Sequence, residues 1–184
     1  LDAYVNGEKA YISAQDGNRT TLTVGYTVPV ASGVRGQVVS FHDGSDVTVS
    51  LFADGSAQPQ YTVAVPAGEK SGGKYTAVYD IPSVAAGTYT VQVSKKNHVT
   101  REYTITVGAE AVTQNAEIWL LGDVNGDGRV NAMDCTRLFT HVNKTQPLTD
   151  AYTLKCADVN RDSRVNAMDC TRLPKHVNET QPLW

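Results

Sequence analysis

The chain has 184 residues, with 16 Lys and Arg against 19 Asp and Glu, a formal net charge of −3 and a hydrophobic share of 41%. That length allows one domain or two small ones, and the composition excludes collagenous and disordered classes. No apolar run approaches the roughly 20 residues of a membrane span, and a pI near 5.8 with scattered basic residues argues against a nucleic-acid partner.

Charge is unevenly placed. Residues 1–120 carry 8 basic and 11 acidic side chains, whereas residues 121–184 carry 8 of each and hold all three cysteines and both methionines. Such a change marks a domain boundary. The opening Leu1-Asp2-Ala3-Tyr4, without Met, reads as part of a longer or processed protein.

In the first 120 residues apolar and polar side chains alternate in short runs. These are Leu22, Val24, Tyr26 and Val28; Val47, Val49 and Leu51; Tyr61, Val63 and Val65; Ala77, Tyr79 and Ile81; Tyr89, Val91 and Val93; and Tyr103, Ile105 and Val107. A period of two, rich in Val, Thr and Tyr, predicts half-buried strands. Turn signals at Asp16-Gly17-Asn18, Asp43-Gly44, Asp54-Gly55 and Ser71-Gly72-Gly73 separate them. The pattern predicts an all-β, immunoglobulin-like sandwich. His42, His98, Asp80, Glu69 and Glu102 have no partner at a motif spacing, so each is expected on a solvated surface.

Val34-Arg-Gly-Gln-Val, Asp46-Val-Thr-Val-Ser-Leu-Phe, Lys74-Tyr-Thr-Ala-Val-Tyr-Asp-Ile-Pro and Gly87-Thr-Tyr-Thr-Val-Gln-Val-Ser-Lys resemble a carboxypeptidase-regulatory-like or collagen-adhesin-B-like sandwich. That resemblance implies a spacer or support over residues 34–115. Residues 1–33 are then leading strands or the tail of a preceding module.

Gly122–Leu148 and Ala157–Leu183 repeat one another at a 35-residue offset, with 21 identities over 27 positions. Two copies are too few for a solenoid, so a pair packed about a local two-fold is expected. Each copy opens with oxygen-bearing side chains: Asp123, Asn125, Asp127, Asn131 and Asp134, then Asp158, Asn160, Asp162, Asn166 and Asp169. Counted from the first Asp, these are places 1, 3, 5, 9 and 12, the spacing of a calcium loop, with the carbonyls of Arg129 and Arg164 at place 7. Oxygen donors without His or Cys predict two Ca²⁺ rather than zinc, copper or magnesium. Place 6 is Gly128 in one loop and Ser163 in the other, so strain and weaker binding are expected in the second.

Helical periodicity follows each loop. Cys135, Leu138 and Val142, and equally Cys170, Leu173 and Val177, form an apolar stripe expected in the core. The other stripe holds Met133, Arg137, Thr140, His141 and Lys144, mirrored by Met168, Arg172, Lys175, His176 and Glu179. Pro174 lacks a helical donor and is expected to kink or break the second helix. The three cysteines fit no metal or redox spacing and are expected to be buried and reduced. Trp119 or Ile118 is expected to meet Pro182 and Trp184, closing the ends of the segment. The N-x-Thr sequons at Asn18, Asn143 and Asn178 are read as accidental.

Gly122-Asp-Val-Asn-Gly-Asp-Gly-Arg-Val-Asn-Ala-Met-Asp, repeated as Ala157-Asp-Val-Asn-Arg-Asp-Ser-Arg-Val-Asn-Ala-Met-Asp, resembles a dockerin. The resemblance covers residues 121–184 and implies a small all-α dockerin over 116–184, with two calcium loop–helix motifs. A sandwich before it is similar to the X-module–dockerin pairs of cellulosome-type assemblies. It further implies a non-catalytic, extracellular bacterial module that binds a cohesin on a scaffoldin or cell-surface anchor. In that family the places of Ala132-Met133 and Ala167-Met168 contact the cohesin. The expected contact set is Ala132, Met133, Arg137, Phe139, Thr140, His141 and Lys144, with Ala167, Met168, Arg172 and Lys175 from the second copy. Because Phe139-Thr140 becomes Pro174-Lys175 and Lys144 becomes Glu179, binding mainly through the first helix is expected. The alternatives are a calcium sensor, the C-terminal appendage of a secreted polysaccharide-degrading enzyme, and a calcium-stabilised adhesion module.

Overall fold

The computed structural model describes residues 32–41 and 45–184, and before them the backbone of four short strands. These are β1 (Ala3–Val5), β2 (Glu8–Ala10), β3 (Ala14–Asp16) and β4 (Arg19–Thr21), paired antiparallel as β1–β2 and β3–β4. They lie in a compact unit of residues 1–30, and residues 31–184 form a second. The expected run from Leu22 to Val28 lies outside the described residues, as do His42 and the Asp43-Gly44 turn.

The second unit opens with nine strands. They are β5 (Ser32–Phe41), β6 (Val47–Ala53), β7 (Tyr61–Val65), β8 (Glu69–Ser71), β9 (Lys74–Val84), β10 (Gly87–Ser94), β11 (Arg101–Val107), β12 (Val112–Thr113) and β13 (Ala116–Glu117). One sheet runs β11–β10–β6–β7, all antiparallel. The other runs β12–β5–β9–β8, and β13 also pairs with β5. A single apolar cluster draws on both sheets, with Val47, Val49, Leu51, Val91 and Val93 from one and Val34, Val38, Ala77, Tyr79 and Ile81 from the other. The period-two reading therefore identifies the inward face of five of its six runs.

The strands β12 and β13 run parallel to β5. Their approach needs Gly36, because a Cβ there would stand 2.0 Å from the Gln114 carbonyl oxygen. Tyr79 fastens the same segment by donating its hydroxyl to that carbonyl at 2.6 Å. His98 is not on a solvated surface. It is 7% exposed, and its Nδ1 meets the Lys96 carbonyl at 2.7 Å. Its backbone bridges to Leu120, which draws this loop under the chain leaving the sandwich.

Three helices follow: α1 (Ala132–Val142), α2 (Ala151–Ala157) and α3 (Ala167–Val177). α1 and α3 begin at Asn131 and Asn166, which cap them, and pack together through the fully buried Leu138 and Leu173. Cys135 and Cys170 are half-buried beside them, Cys156 is buried, and all three are free. Pro174 does not break α3, which continues to Val177. The Pro174 carbonyl still accepts the Asn178 N–H at 2.9 Å, so only the proline's own donor is lost.

α2 is absent from the sequence reading and joins the helices to the sandwich. Asp150 caps it by accepting the Thr153 N–H at 2.8 Å. Its Tyr152 packs with Phe41, Leu120 and Cys156. Lys74 of β9 lies 4.5 Å from the Tyr152 ring centroid and 4.0 Å from Asp150 Oδ1, and Lys155 pairs with Glu117 of β13.

Candidate calcium loops and recognition face

Each loop buries its closing carboxylate, Asp134 or Asp169, while Asp127 and Asp162 stay exposed. In the first, Asp123 is 1% exposed. Its Oδ1 accepts the N–H groups of Gly126 and Asp127 at 2.9 and 3.1 Å, and its Oδ2 accepts that of Gly128 at 3.0 Å. Asn125 Oδ1 accepts from the Asp127 N–H, and Asp127 Oδ1 from the Arg129 N–H, both at 2.9 Å. Asp134, fully buried, accepts from Val124 and Asn125 on one oxygen and from Asn131 on the other.

Asn131 and Asp134 thus serve twice. Besides standing at places 9 and 12, they form the capping box of α1: Asn131 Oδ1 accepts the Met133 N–H at 2.8 Å while Asp134 accepts the Asn131 N–H at 2.9 Å. Asn166 and Asp169 do the same for α3. The loop and the helix that follows it are consequently one hydrogen-bonded object.

The second loop is the looser copy. Asp158 accepts two backbone N–H groups, from Asp162 and Ser163, where Asp123 accepts three. Among the described residues, Asp169 accepts from Asn160 and Asn166, where Asp134 accepts from three. Ser163 takes a positive φ of 67°, as expected for place 6. Place 4 carries the same demand, with Gly126 at φ 78° and Arg161 at φ 61°. The second loop therefore holds two non-glycine residues in left-handed backbone where the first has glycines.

The electrostatics favour a cation. Burial pushes the Asp123 carboxyl up to about 6; the charges of Asp134 and Asp127 act in the same direction, against the hydrogen bonds from Gly128 and Gly126. Burial also raises Asp134 and Asp158. Among the described residues, no three His, Cys, Asp or Glu side chains gather tightly enough to hold a metal unaided. The amide and carbonyl oxygens of Asn125, Arg129 and Asn131 complete the candidate set, and an all-oxygen set of this kind fits Ca²⁺.

Beyond the loops, Met133 and Met168 are 65% and 64% exposed and Phe139 is 59% exposed. Ala132, Ala167 and Lys175 are exposed as well. Other residues of the expected contact set turn toward their own module. Arg137 donates to the Gln146 carbonyl at 2.5 Å and to the Pro147 carbonyl at 3.4 Å. Thr140 donates to the Arg137 carbonyl at 2.8 Å. His141 Nδ1 accepts the Leu148 N–H at 2.9 Å, and His176 Nδ1 accepts the Leu183 N–H at 3.4 Å. Arg172 is half-buried. Lys144 lies past the end of α1, at φ 60°, in a turn where its N–H and that of Thr145 close onto the carbonyls of His141 and Thr140. Glu179 occupies the matching turn after α3, at φ 58°.

The segment's ends do meet, through other residues than the tryptophans. A Cβ on Gly122 would stand 2.9 Å from Val130, 3.0 Å from Leu173 and 3.1 Å from Leu183. The bare Gly122 backbone thus receives Leu183, which is buried. Trp184 instead stands edge-on to His176, at 4.5 Å between centroids, and Trp119 lies under Arg101 and Lys155.

Residues 121–178 match the family model described as the dockerin type I domain. Similar solved structures include two complexes of type II cohesin with X-dockerin from Acetivibrio cellulolyticus, one an N-terminal and one a C-terminal interface mutant. They are 23% and 22% identical to this chain, cover 79% of it and 94% of their own chain, and give TM-scores of 0.33 and 0.32. No curated protein matches the chain.

Proposed function

Because residues 121–178 match the dockerin type I domain model, we propose that the chain is a non-catalytic, calcium-dependent plug that binds a cohesin and so assembles or anchors an extracellular polysaccharide-degrading complex. Residues 34–115 act as its support, and residues 116–184 as the plug. The observation that carries this reading is the fusion of each loop to its helix through Asn131–Asp134 and Asn166–Asp169. Two Ca²⁺ held by the oxygen sets of the loops would supply the positive charge that the buried carboxylates need. Asp134 and Asp169 then transmit loop order to the first turns of α1 and α3, which carry Met133 and Met168. These exposed methionines, with Phe139, make an apolar spot suited to the centre of a protein interface.

Engagement is mainly through α1. Phe139 offers an exposed ring where α3 has Pro174, and Lys144 offers a cation where the second copy has Glu179. Pull-down of the full chain by a panel of cohesins, with calcium and with chelator, tests the function. Capture in calcium and release by chelator is expected; capture insensitive to chelator, or none, contradicts it. Charge reversal at Lys144 and at Glu179 separately tests the orientation, and equal losses would point to two modes.

A further inference from the structure

A second surface is formed where the sandwich and the helices meet. α2, the start of β11 and the second loop enclose a cleft of about 680 Å³, within the usual range for ligand sites. Trp119, Val99, Leu154 and Val165 give it apolar walls, and Arg101, Lys155 and Arg161 give it three cations against the single acid Asp158. Lys155 is already paired with Glu117. Among the described residues no carboxylate pairs with Arg101 or Arg161, and both are exposed. His141 also lines the cleft. Since its Nδ1 accepts the Leu148 N–H, its ring proton belongs on Nε2, another donor rather than an acceptor.

We propose that this cleft binds an acidic peptide segment, whose carboxylates pair with Arg101 and Arg161, the former standing over Trp119, while its methylenes lie along Leu154 and Val165. Arginine forks match carboxylates with two parallel hydrogen bonds. Trp119 gives no open platform for sugar stacking, because Arg101 and Lys155 already stand over it at 5.4 and 5.5 Å. The chemistry thus favours a peptide over an acidic polysaccharide. The site exists only where the sandwich and the helices meet, so it needs both.

The test uses the full chain in calcium with Trp184→Phe, which leaves Trp119 as the sole tryptophan. Its emission is followed on titration with a capped penta-glutamate peptide, the penta-glutamine peptide and an oligogalacturonate. A saturable change with penta-glutamate alone is expected. Arg101→Ala and Arg161→Gly should each weaken it about tenfold, the loss of one charge-assisted contact, and Arg161→Lys should retain most of it. Glycine suits the left-handed backbone at 161, so that variant keeps the loop intact and decides the matter if Arg101→Ala unfolds. No saturable response to penta-glutamate, an equal response to oligogalacturonate, or an affinity indifferent to Arg161→Gly would overturn the proposal.

Discussion

Tyr152 of α2 stacks on Phe41 at the end of β5, with ring centroids 6.1 Å apart and planes 25° from parallel, and its hydroxyl donates to the Ile118 carbonyl at 3.3 Å. One side chain therefore ties the helical segment to the sandwich by packing and by a buried hydrogen bond. Tyr152→Ala should cost about 3–5 kcal/mol, as large aromatic truncations do. Tyr152→Phe should cost only about 1 kcal/mol, the net worth of one hydrogen bond. Urea unfolding curves distinguish the two; equal losses would mean that the hydroxyl, not the ring, carries the junction.

Asp134 belongs to the loop and to the helix cap at once. Asp134→Ala should abolish calcium binding in the first loop. It should also lower stability in chelator by about 1 kcal/mol through loss of the capping box. Calorimetric titration gives the first result and thermal unfolding in chelator the second. An unchanged chelated form would separate the cap from the loop.

Ser163 occupies left-handed backbone, and Ser163→Gly relieves it. Calcium affinity of the second loop should rise about threefold to tenfold, equivalent to roughly 1 kcal/mol. A two-site calorimetric titration should show the weaker site approaching the stronger. Unaltered weak-site affinity would place the difference in the hydrogen bonds of Asp158 instead.

His176 is held below the usual imidazole range by burial. A histidine with a folded pKa below its unfolded value binds protons more readily when unfolded. Its neutral contact with Leu183 is therefore fully available above the unfolded pKa and is progressively lost as pH falls below about 6.5. The raised carboxyl of Asp123 acts in the opposite direction over the same window, so the check is differential. Relative to the parent, His176→Gln should remove a destabilising contribution to the unfolding midpoint on acidification. The same slope in the variant as in the parent would assign that contribution to another group.

Met133 and Phe139 are exposed, so their loss costs little in folding. Met133→Asp and Phe139→Asp should leave unfolding within about 0.5 kcal/mol of the parent, as surface changes do. Each should reduce cohesin affinity at least tenfold if it stands at the centre of the interface. Met168→Asp should matter less than Met133→Asp if α1 leads. Surface plasmon resonance against a captured cohesin measures all three.

The periodic parts of this molecule were legible from residues alone. Alternation identified Val47, Val49 and Leu51 or Tyr89, Val91 and Val93 as core because one sheet face buries every second side chain. The carboxylate spacing singles out Asp134 and Asp169, which are buried and cap the helices that follow. What escaped depends on contacts between segments distant in sequence. Gly36 reads as an ordinary glycine until Gln114 approaches it, and His141 reads as surface until the chain folds back to Leu148. α2 is only seven residues long, too short to show a stripe, although Asp150 with Thr153 was an available start signal. The demand at place 4 was also available, since Gly126 faces Arg161 across the repeat.

The parallel pairing of β13 with β5 has a mechanical consequence. Val112, Thr113, Ala116 and Glu117 lie opposite Val34, Arg35, Val38 and Val39, joined by bonds such as Gln114 N–H to the Arg35 carbonyl and Ile118 N–H to the Val39 carbonyl, each 2.9 Å. Chain enters at the start of β5 and leaves toward the helices at the end of β13. Tension between those points drags the two strands past one another along their length. The ladder is then loaded in shear, with its bonds sharing the force, rather than peeled open one rung at a time.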